Sequence, residues 1–376
     1  MIEFKNISKY YQNKTILHNI NLSILDGEFV VLIGESGCGK TTTLKMINKL
    51  IRPSDGKILI NDKDISQVDT ISLRRRMGYV IQQIGLFPHM TIEENIKLIA
   101  RLNSHDEDKI NENAIKLMKM VNLDPDKYLG VYPSELSGGQ QQRAGVVRAF
   151  MTDPEIVLMD EPFSALDPIT RSQIQNALLD MQENLKRTIV FVTHDMDEAI
   201  KLADRICIME NGQITQFDTP EYILKNPEND FVRNFVGPKR IWTSPEFIKT
   251  KDIMINDPVC CHPKTPLFKC IETLSRRKVD TLMVTDKNKK IFGVLYSERL
   301  IGLKEINKTA EDLMDSNFSF VSPESSIVDL LEIFDKKRLS TLPVVNKNGI
   351  IEGLITRSTL VNTLSRQFIG KEDKHE

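Results

Sequence analysis

An α/β fold in two parts is what this chain predicts, and three observations carry that prediction. Short apolar runs of strand length, Phe29-Val30-Val31-Leu32-Ile33, Ile156-Val157-Leu158-Met159 and Ile189-Val190-Phe191-Val192, each run into a glycine-rich, acidic or histidine-bearing turn. Amphipathic stretches of helical period, Ile92 to Leu102 and Ile110 to Val121, lie between the first two runs and suit a helical insertion between sheet strands. Past Gly237-Pro238 the sequence superposes on itself at a shift of 60 positions. A length of 376 residues also exceeds what one hydrophobic core usually serves.

The first run opens onto Gly34-Glu35-Ser36-Gly37-Cys38-Gly39-Lys40-Thr41, which fits G-x-x-x-x-G-K-[ST] without a gap. This is a P-loop. Its glycines let successive backbone N–H groups turn toward phosphate oxygens, and a helix starting near Lys40 adds the positive end of its dipole. Lys40 is expected to meet the β- and γ-phosphates of ATP and Thr41 to offer its hydroxyl to Mg²⁺. Thr42 belongs to the same nucleotide-binding set.

The second run delivers Asp160 and Glu161 to the carboxyl end of a strand, where open α/β sheets bind their ligands. Asp160 would hold Mg²⁺ through water, and Glu161 is placed to orient and deprotonate an attacking water. An Asp-Glu pair alone is an ordinary strand end; the P-loop upstream gives this one its meaning. Upstream of it, Leu136-Ser137-Gly138-Gly139-Gln140 carries a capping-box start, with Ser137 as N-cap and Gln140 three residues on. Two adjacent glycines weaken a helix start and leave its N–H groups bare, which suits an anion. A phosphate site lacking its own lysine fits half of a shared site.

With Gln141, Gln142 and Arg143 behind it, that segment resembles the signature motif of ATP-binding-cassette ATPases, and further motifs follow in the family's order. Gln82, in Val80-Ile81-Gln82-Gln83, resembles the Q-loop glutamine, a catalytic and metal-facing position. Ser164-Ala165-Leu166-Asp167 resembles the D-loop, with Asp167 in the nucleotide set, and His194 resembles the catalytic switch histidine. Tyr11 stands where the adenine-stacking aromatic falls, with Tyr10 as its neighbour. The resemblance covers residues 1–237 and implies a P-loop cassette ATPase with a RecA-like sheet core and a helical subdomain. It also implies a head-to-tail homodimer in which one subunit's signature closes on ATP held by the other's P-loop. The segment Gly85-Leu86-Phe87-Pro88-His89-Met90 would then contact membrane subunits.

Composition sets limits on partners. Lys and Arg total 50 against 52 Asp and Glu, a net charge of −2, so nothing electrostatic calls for nucleic acid. No apolar run approaches the ~18 residues of a membrane helix, and no signal-peptide core opens the chain. The five cysteines, Cys38, Cys207, Cys260, Cys261 and Cys270, show neither metal nor disulfide spacing.

After a linker at 238–250, the repeat places Asp252 on Asp312, Pro263 on Pro323, Thr281-Leu282 on Thr341-Leu342, Gly293 on Gly353 and Leu300 on Leu360. Each copy is expected to run helix, strand, turn, strand, helix. The copies, 251–308 and 309–366 with a tail at 367–376, resemble a tandem CBS module, a regulatory unit that often binds adenine nucleotides. A cassette ATPase followed by tandem CBS units resembles the energising subunit of bacterial osmoprotectant importers for glycine betaine, carnitine, choline or proline betaine. That resemblance implies two transmembrane permease subunits, an extracellular solute-binding protein and a peripheral place on the cytoplasmic face of the membrane. An importer of another solute, such as an amino acid, and a soluble cassette ATPase stay open as alternatives.

In nucleotide-binding CBS units a glycine is followed by threonine or serine and then by a ribose-binding aspartate. Here Gly353-Leu354-Ile355-Thr356-Arg357-Ser358-Thr359 has Thr359 at the aspartate position, and Arg299 stands there in the first copy. The missing carboxylate disfavours AMP or ATP. Related importers are inhibited by cyclic di-AMP, which implies that ligand in a cleft shared between two CBS pairs of the dimer, with Arg357 near phosphate and Val279, Thr281 and Ile355 against the bases; a purely structural dimerising tail stays open as the alternative. The triplets Arg276-Arg277-Lys278 and Lys336-Lys337-Arg338 fall on equivalent positions and fit either helix-dipole pairing or a basic face toward anionic lipid.

Overall fold

A computed structural model describes the chain except residue 13, residues 83–84, 104–105, 165, 238–239, 241–244, 301–307, 338 and 369–376, and the side chains of 246 and 363–368. Gln83, Ala165, Lys239, Arg338 and most of the tail therefore lie outside the described residues. Two compact units divide at Val236 and Gly237.

In the first unit, β1 (Ile2–Tyr11), β2 (Lys14–Ile24), β4 (Asp55–Ile60) and β5 (Lys63–Asp64) form an antiparallel sheet in the order β2-β1-β4-β5. The second sheet combines β3 (Phe29–Gly34), β6 (Met77–Val80), β7 (Ile156–Asp160), β8 (Thr188–Val192), β9 (Arg205–Glu210) and β10 (Gln213–Asp218) in the order β10-β9-β3-β8-β7-β6. Its strands are parallel except β10. Both faces are covered, so the apolar runs need no polar alternation. Phe29, Val31 and Ile33 enter one core cluster while Val30 and Leu32 enter the other, the period of two that strand geometry dictates.

The helical insertion comprises Ile92–Asn103, Glu107–Met120, the short Pro125–Tyr128 and Gly138–Phe150. Ile92, Ile96, Ile110, Ala114, Leu117, Ala144 and Val147 carry its apolar faces into the first cluster. Asp106 caps the second of these helices by accepting from Lys109 N at 3.2 Å.

The second unit contains β11 (Cys260–Cys261), β12 (Thr281–Thr285), β13 (Ile291–Tyr296), β14 (Thr341–Val345) and β15 (Ile351–Thr356), with helices Leu267–Arg277 and Ile327–Lys337 at equivalent repeat positions. The two copies exchange their leading segments. Ile255 and Leu354 trade backbone hydrogen bonds of 2.8 and 3.0 Å, and the equivalent pair Asp315 and Val294 trade bonds of 2.8 and 3.1 Å. Each lead thus pairs with the other copy's second strand. This gives Gly293 and Gly353 a packing reason: a Cβ at Gly353 would stand 2.5 Å from Met254 Sδ, and one at Gly293 2.8 Å from Met314 Sδ.

The linker is shorter than the sequence predicts. Ile248 is buried in the second copy's core, its carbonyl accepts from Ile327 N at 2.8 Å, and Thr250 N donates to Ser325 O at 2.8 Å. Apolar burial fixes the end of that segment, which no turn signal marks. In the first copy, the described part of the closing element is a 3₁₀ turn at Ser297–Leu300; the second copy closes with helix Arg357–Phe368.

Because Ile255 O also lies 2.9 Å from the would-be Cβ at Gly353, the branched side chain of Gly353→Val cannot be absorbed by Met254 alone. The variant is expected to lose about 1–3 kcal/mol in the unfolding of the second unit, with ATP affinity unchanged. Calorimetric unfolding of the full chain with and without ATP reads both quantities.

Candidate functional site

The carboxyl edge of the parallel sheet assembles the site. Leu32 lies opposite Val192, and Val192 opposite Asp160, so the ends of β3, β8 and β7 stand level. Beyond β3 the loop exposes Glu35, Ser36 and Gly37 and buries Cys38, Gly39 and Lys40. Gly39 has φ 108°, and a Cβ there would sit 2.4 Å from Leu17 Cδ2, so only glycine fits. Helix Lys40–Ile47 follows at once. Lys40 Nζ donates to Gly34 O and Glu35 O, each at 2.8 Å, so its ammonium is held over the loop. Burial raises the pKa of the Cys38 thiol, against the lowering effect of Lys40.

Thr41 Oγ1 donates to Asp160 Oδ1 at 2.8 Å, and Lys45 Nζ stands 3.6 Å from Asp160 Oδ2. A hydroxyl and a carboxylate so close are the oxygen donors Mg²⁺ prefers. Half-buried Thr42 lies in the same first turn. On the neighbouring β6, burial and the charge of Asp160 push the Tyr79 hydroxyl up to about 12.

Glu161 takes φ 45°, a left-handed conformation that costs a non-glycine residue about 1–3 kcal/mol. Its N–H donates to Val192 O at 3.0 Å, which holds it there. The turn aims the carboxylate so that Oε2 lies 3.3 Å from Gln82 Nε2 and 3.3 Å from His194 Nδ1. Three residues predicted from separate motifs therefore meet on one carboxylate oxygen. Behind His194, Thr193 Oγ1 donates to Glu198 Oε2 at 2.7 Å and accepts from Asp195 N at 3.0 Å, while Arg171 stands 3.4 Å from Asp195 and 3.8 Å from Glu198. Burial raises the Glu198 carboxyl above its usual range. Sequence reasoning missed this support and Lys45; the helix-cap signal of Asp195 was its only local trace.

At the signature segment the capping box is present: Ser137 N donates to Gln140 Oε1 at 2.9 Å and Gln140 N to Ser137 Oγ at 3.4 Å. The two glycines differ. A Cβ at Gly138 would meet nothing within 4 Å, whereas one at Gly139 would sit 2.4 Å from Thr170 Cγ2. Gly139 thus serves packing, and Gly138 leaves an open surface beside exposed Ser137. Among the described residues no hydrogen bond or ion pair joins 137–140 to 34–42. Asp167 caps helix Pro168–Leu185 by accepting from Ile169 N and Thr170 N, and its Thr170 bonds hold its carboxyl below the usual range. Tyr11 is half exposed, with Lys9 Nζ 4.7 Å from its ring centre.

The residues expected around a regulatory ligand are dispersed. Val279 lines a cleft of about 570 Å³ together with Ile271, Ser275, Lys278, Asp280 and Ser297. Thr281 is nearly buried at the start of β12. Ile355 is fully buried in the second copy's core, and Arg357 Nη2 donates to Phe334 O at 2.9 Å, so neither lines that cleft. Strand alternation turns Ile355 inward, which a motif comparison cannot see. At the aspartate positions, Thr359 bonds to Thr356 Oγ1 and Arg299 to Asp315 Oδ2 at 3.0 Å. Of the basic triplets, Lys278 is a left-handed C-cap, Lys336 pairs with Glu332 and Lys337 donates to Ser319.

Known proteins match over both units. The model of the ABC transporter family matches residues 17–164, and the CBS domain model matches 251–304 and 310–366. A carnitine transport ATP-binding protein of Listeria monocytogenes is 46% identical over 98% of this chain and 94% of its own length. A glycine betaine/carnitine/choline transport ATP-binding protein of Bacillus subtilis is 43% identical over 99% and 98%. An osmoprotectant import ATP-binding protein of Salmonella typhimurium is 41% identical over 97% and 96%. Among solved structures, the dimeric ATP-binding cassette MJ0796 bound to ADP and Pi is 32% identical and covers 58% of this chain and 99% of its own, with a TM-score of 0.54. The chain belongs to the ABC transporter family, as an ATP-binding subunit that carries two CBS domains.

Proposed function

We propose that this chain is the ATP-hydrolysing subunit energising import of a quaternary ammonium osmoprotectant such as glycine betaine, carnitine or choline. The likeness that carries the solute class extends through the CBS pair as well as the ATPase, in relatives named for those solutes. In this reading two copies work with two membrane permease subunits and an extracellular solute-binding protein, on the cytoplasmic face of the membrane. No described helix is long and apolar enough to cross a membrane, so the passage belongs to other subunits.

The convergence of Gln82 and His194 on Glu161 at 3.3 Å supports the hydrolytic roles. Glu161 takes the proton of the attacking water, and His194 and Gln82 orient the carboxylate and that water. Lys40 exchanges the carbonyls of Gly34 and Glu35 for phosphate oxygens, with the N–H groups of 35–41 around them. Thr41, Asp160 and Gln82 are the residues that would hold Mg²⁺, which supplies charge neutralisation at the phosphates when bound. Tyr11 offers its ring to adenine. Ser137, Gly138 and Gln140 of a second copy, with its Asp167, complete the site; the open surface at Gly138 favours this.

Lys40→Ala is expected to abolish ATP binding, whereas Glu161→Gln should bind ATP, hold the dimer closed and hydrolyse about 10²–10⁴-fold more slowly. Nucleotide-binding and turnover assays with size analysis check this; near-normal turnover by Glu161→Gln would remove the general-base assignment. Ser137→Arg should leave monomers able to bind ATP while turnover collapses. Mixed with Lys40→Ala it should restore at most one working composite site per dimer, and full activity as a homodimer would defeat the shared site.

For regulation we infer cyclic di-AMP as the ligand of the CBS pair. Support comes from the absent ribose-binding aspartates, with Thr359 and Arg299 in their places, and from the cleft at Val279. Since Arg357 is spent on Phe334 O, its phosphate contact requires that bond to be exchanged. Calorimetric titration of the full chain carrying Lys40→Ala, which silences the ATPase site, should show binding of cyclic di-AMP and none of AMP or ATP. Binding of AMP or ATP alone would reverse the assignment.

A further inference from the structure

The helix Gly138–Phe150 has an ATP-facing start and an unusual finish. Thirteen residues give it a length of about 20 Å. In its last turn Arg148 is partly buried, no carboxylate pairs with it among the described residues, and its burial lowers the pKa of its guanidinium. A partly desolvated cation without a counter-charge leans on hydrogen bonds for compensation. Here Nη1 donates to Gly85 O at 2.7 Å. Gly85 begins the segment Gly85–Met90, three residues beyond Gln82, which itself touches Glu161.

The same segment is pinned from its other side. Asn95, fully buried on helix Ile92–Asn103, holds its Nδ2 3.0 Å from each of Phe87 O, Met90 O and Thr91 O, and its Oδ1 accepts from Phe87 N at 2.7 Å. With two N–H groups to share among the three carbonyls, and Thr91 O already accepting from Asn95 N at 2.9 Å, the side chain satisfies both backbone groups of Phe87 and the carbonyl of Met90, which a loop would otherwise leave to water. Between the pins the segment turns Phe87, 43% exposed, and His89 outward, with their rings 5.9 Å apart.

We propose that Arg148 is a positioning residue for energy coupling: it ties the carbonyl of Gly85 to the far end of the signature helix, so that movement of that helix on a partner's ATP is delivered through Phe87 and His89 to a permease subunit. A helix moves as a stiff body, and a charge-assisted bond to a carbonyl is a short, directional tie. Asn95 keeps the segment's shape while Arg148 sets its position. The proposal rests on the reading that Gly85–Met90 meets a permease.

The test uses the complete transporter in proteoliposomes, with uptake and ATP hydrolysis measured together for whichever of glycine betaine, carnitine and choline the wild type takes up. Arg148→Gln should keep ATP affinity and solute-independent hydrolysis within about two-fold of wild type, while solute moved per ATP falls about five-fold or more. Arg148→Lys, which retains a cation with a single reach to Gly85 O, should fall in between; it carries the test if Arg148→Gln does not fold. An unchanged uptake-to-hydrolysis ratio in these variants overturns the proposal, and so does a parallel fall of both rates, which marks a merely structural arginine. Phe87→Ala separates the two levels of the argument. If it leaves the ratio untouched, the segment does not meet a permease; if it lowers the ratio while both Arg148 variants do not, the segment is right and the Arg148 tie is wrong.

Discussion

The parallel register of β3, β8 and β7 is the constraint on which the site depends. With Leu32, Val192 and Asp160 level across three strands, the P-loop, the Asp-Glu turn and the histidine turn leave the sheet at one edge. A slip of one residue in β7 would reverse the facing of every side chain in it, carrying Asp160 away from Thr41 and into a core cluster. The left-handed turn at Glu161 follows from the same register, because Val192 O is in place to accept its N–H. Burial of both sheet faces fixes the register, and the chemistry inherits it.

A different constraint organises the CBS pair. Neither copy closes its sheet alone, since each lends its lead segment to the other, at Ile255–Leu354 and Asp315–Val294. The methionines that accompany those leads, Met254 and Met314, occupy the space that Gly353 and Gly293 leave open. Exchange of this kind makes the pair one cooperative object.

Local chemistry was legible in the sequence and tertiary chemistry was not. The P-loop, the Asp160-Glu161 turn, the capping box at Ser137 and the strand and helix runs are contiguous patterns whose physics acts within a few residues. Lys45 at Asp160, the Arg171–Glu198 support behind His194 and the grip of Arg148 on Gly85 join positions 27 to 115 residues apart, and no short pattern announces them. The glycines show the same limit. Gly139 stands beside Gly138 in the anion-surface pattern yet packs on Thr170, and Gly353 stands in the nucleotide-motif pattern yet makes room for Met254. Glycine shows that space is needed without saying for what. Ile248 and Ile355 failed for the opposite reason, since an isolated isoleucine carries no sign of which core it enters.

The bonds that pre-form the site also set the terms on which it can be used. In a single chain Lys40 is satisfied by Gly34 O and Glu35 O, Thr41 by Asp160, and Gln82 and His194 both lean on Glu161. A phosphate that recruits these groups must replace each partner it removes, so the gain is a difference between hydrogen bonds, of order 1 kcal/mol each, and not their sum. The signature surface is under no such restriction. Ser137 and Gly138 face solvent, and among the described residues the Ser137 hydroxyl makes only a long 3.4 Å bond to Gln140 N. Contacts made there cost the displacement of water and little internal structure. On the proposed reading, the P-loop side supplies a nucleotide platform whose net gain is small per contact, and the exposed side of a second copy supplies the contacts that tip the balance. In the proposed shared site, that asymmetry would make closure of two copies, and not occupancy of one, the step at which ATP does mechanical work.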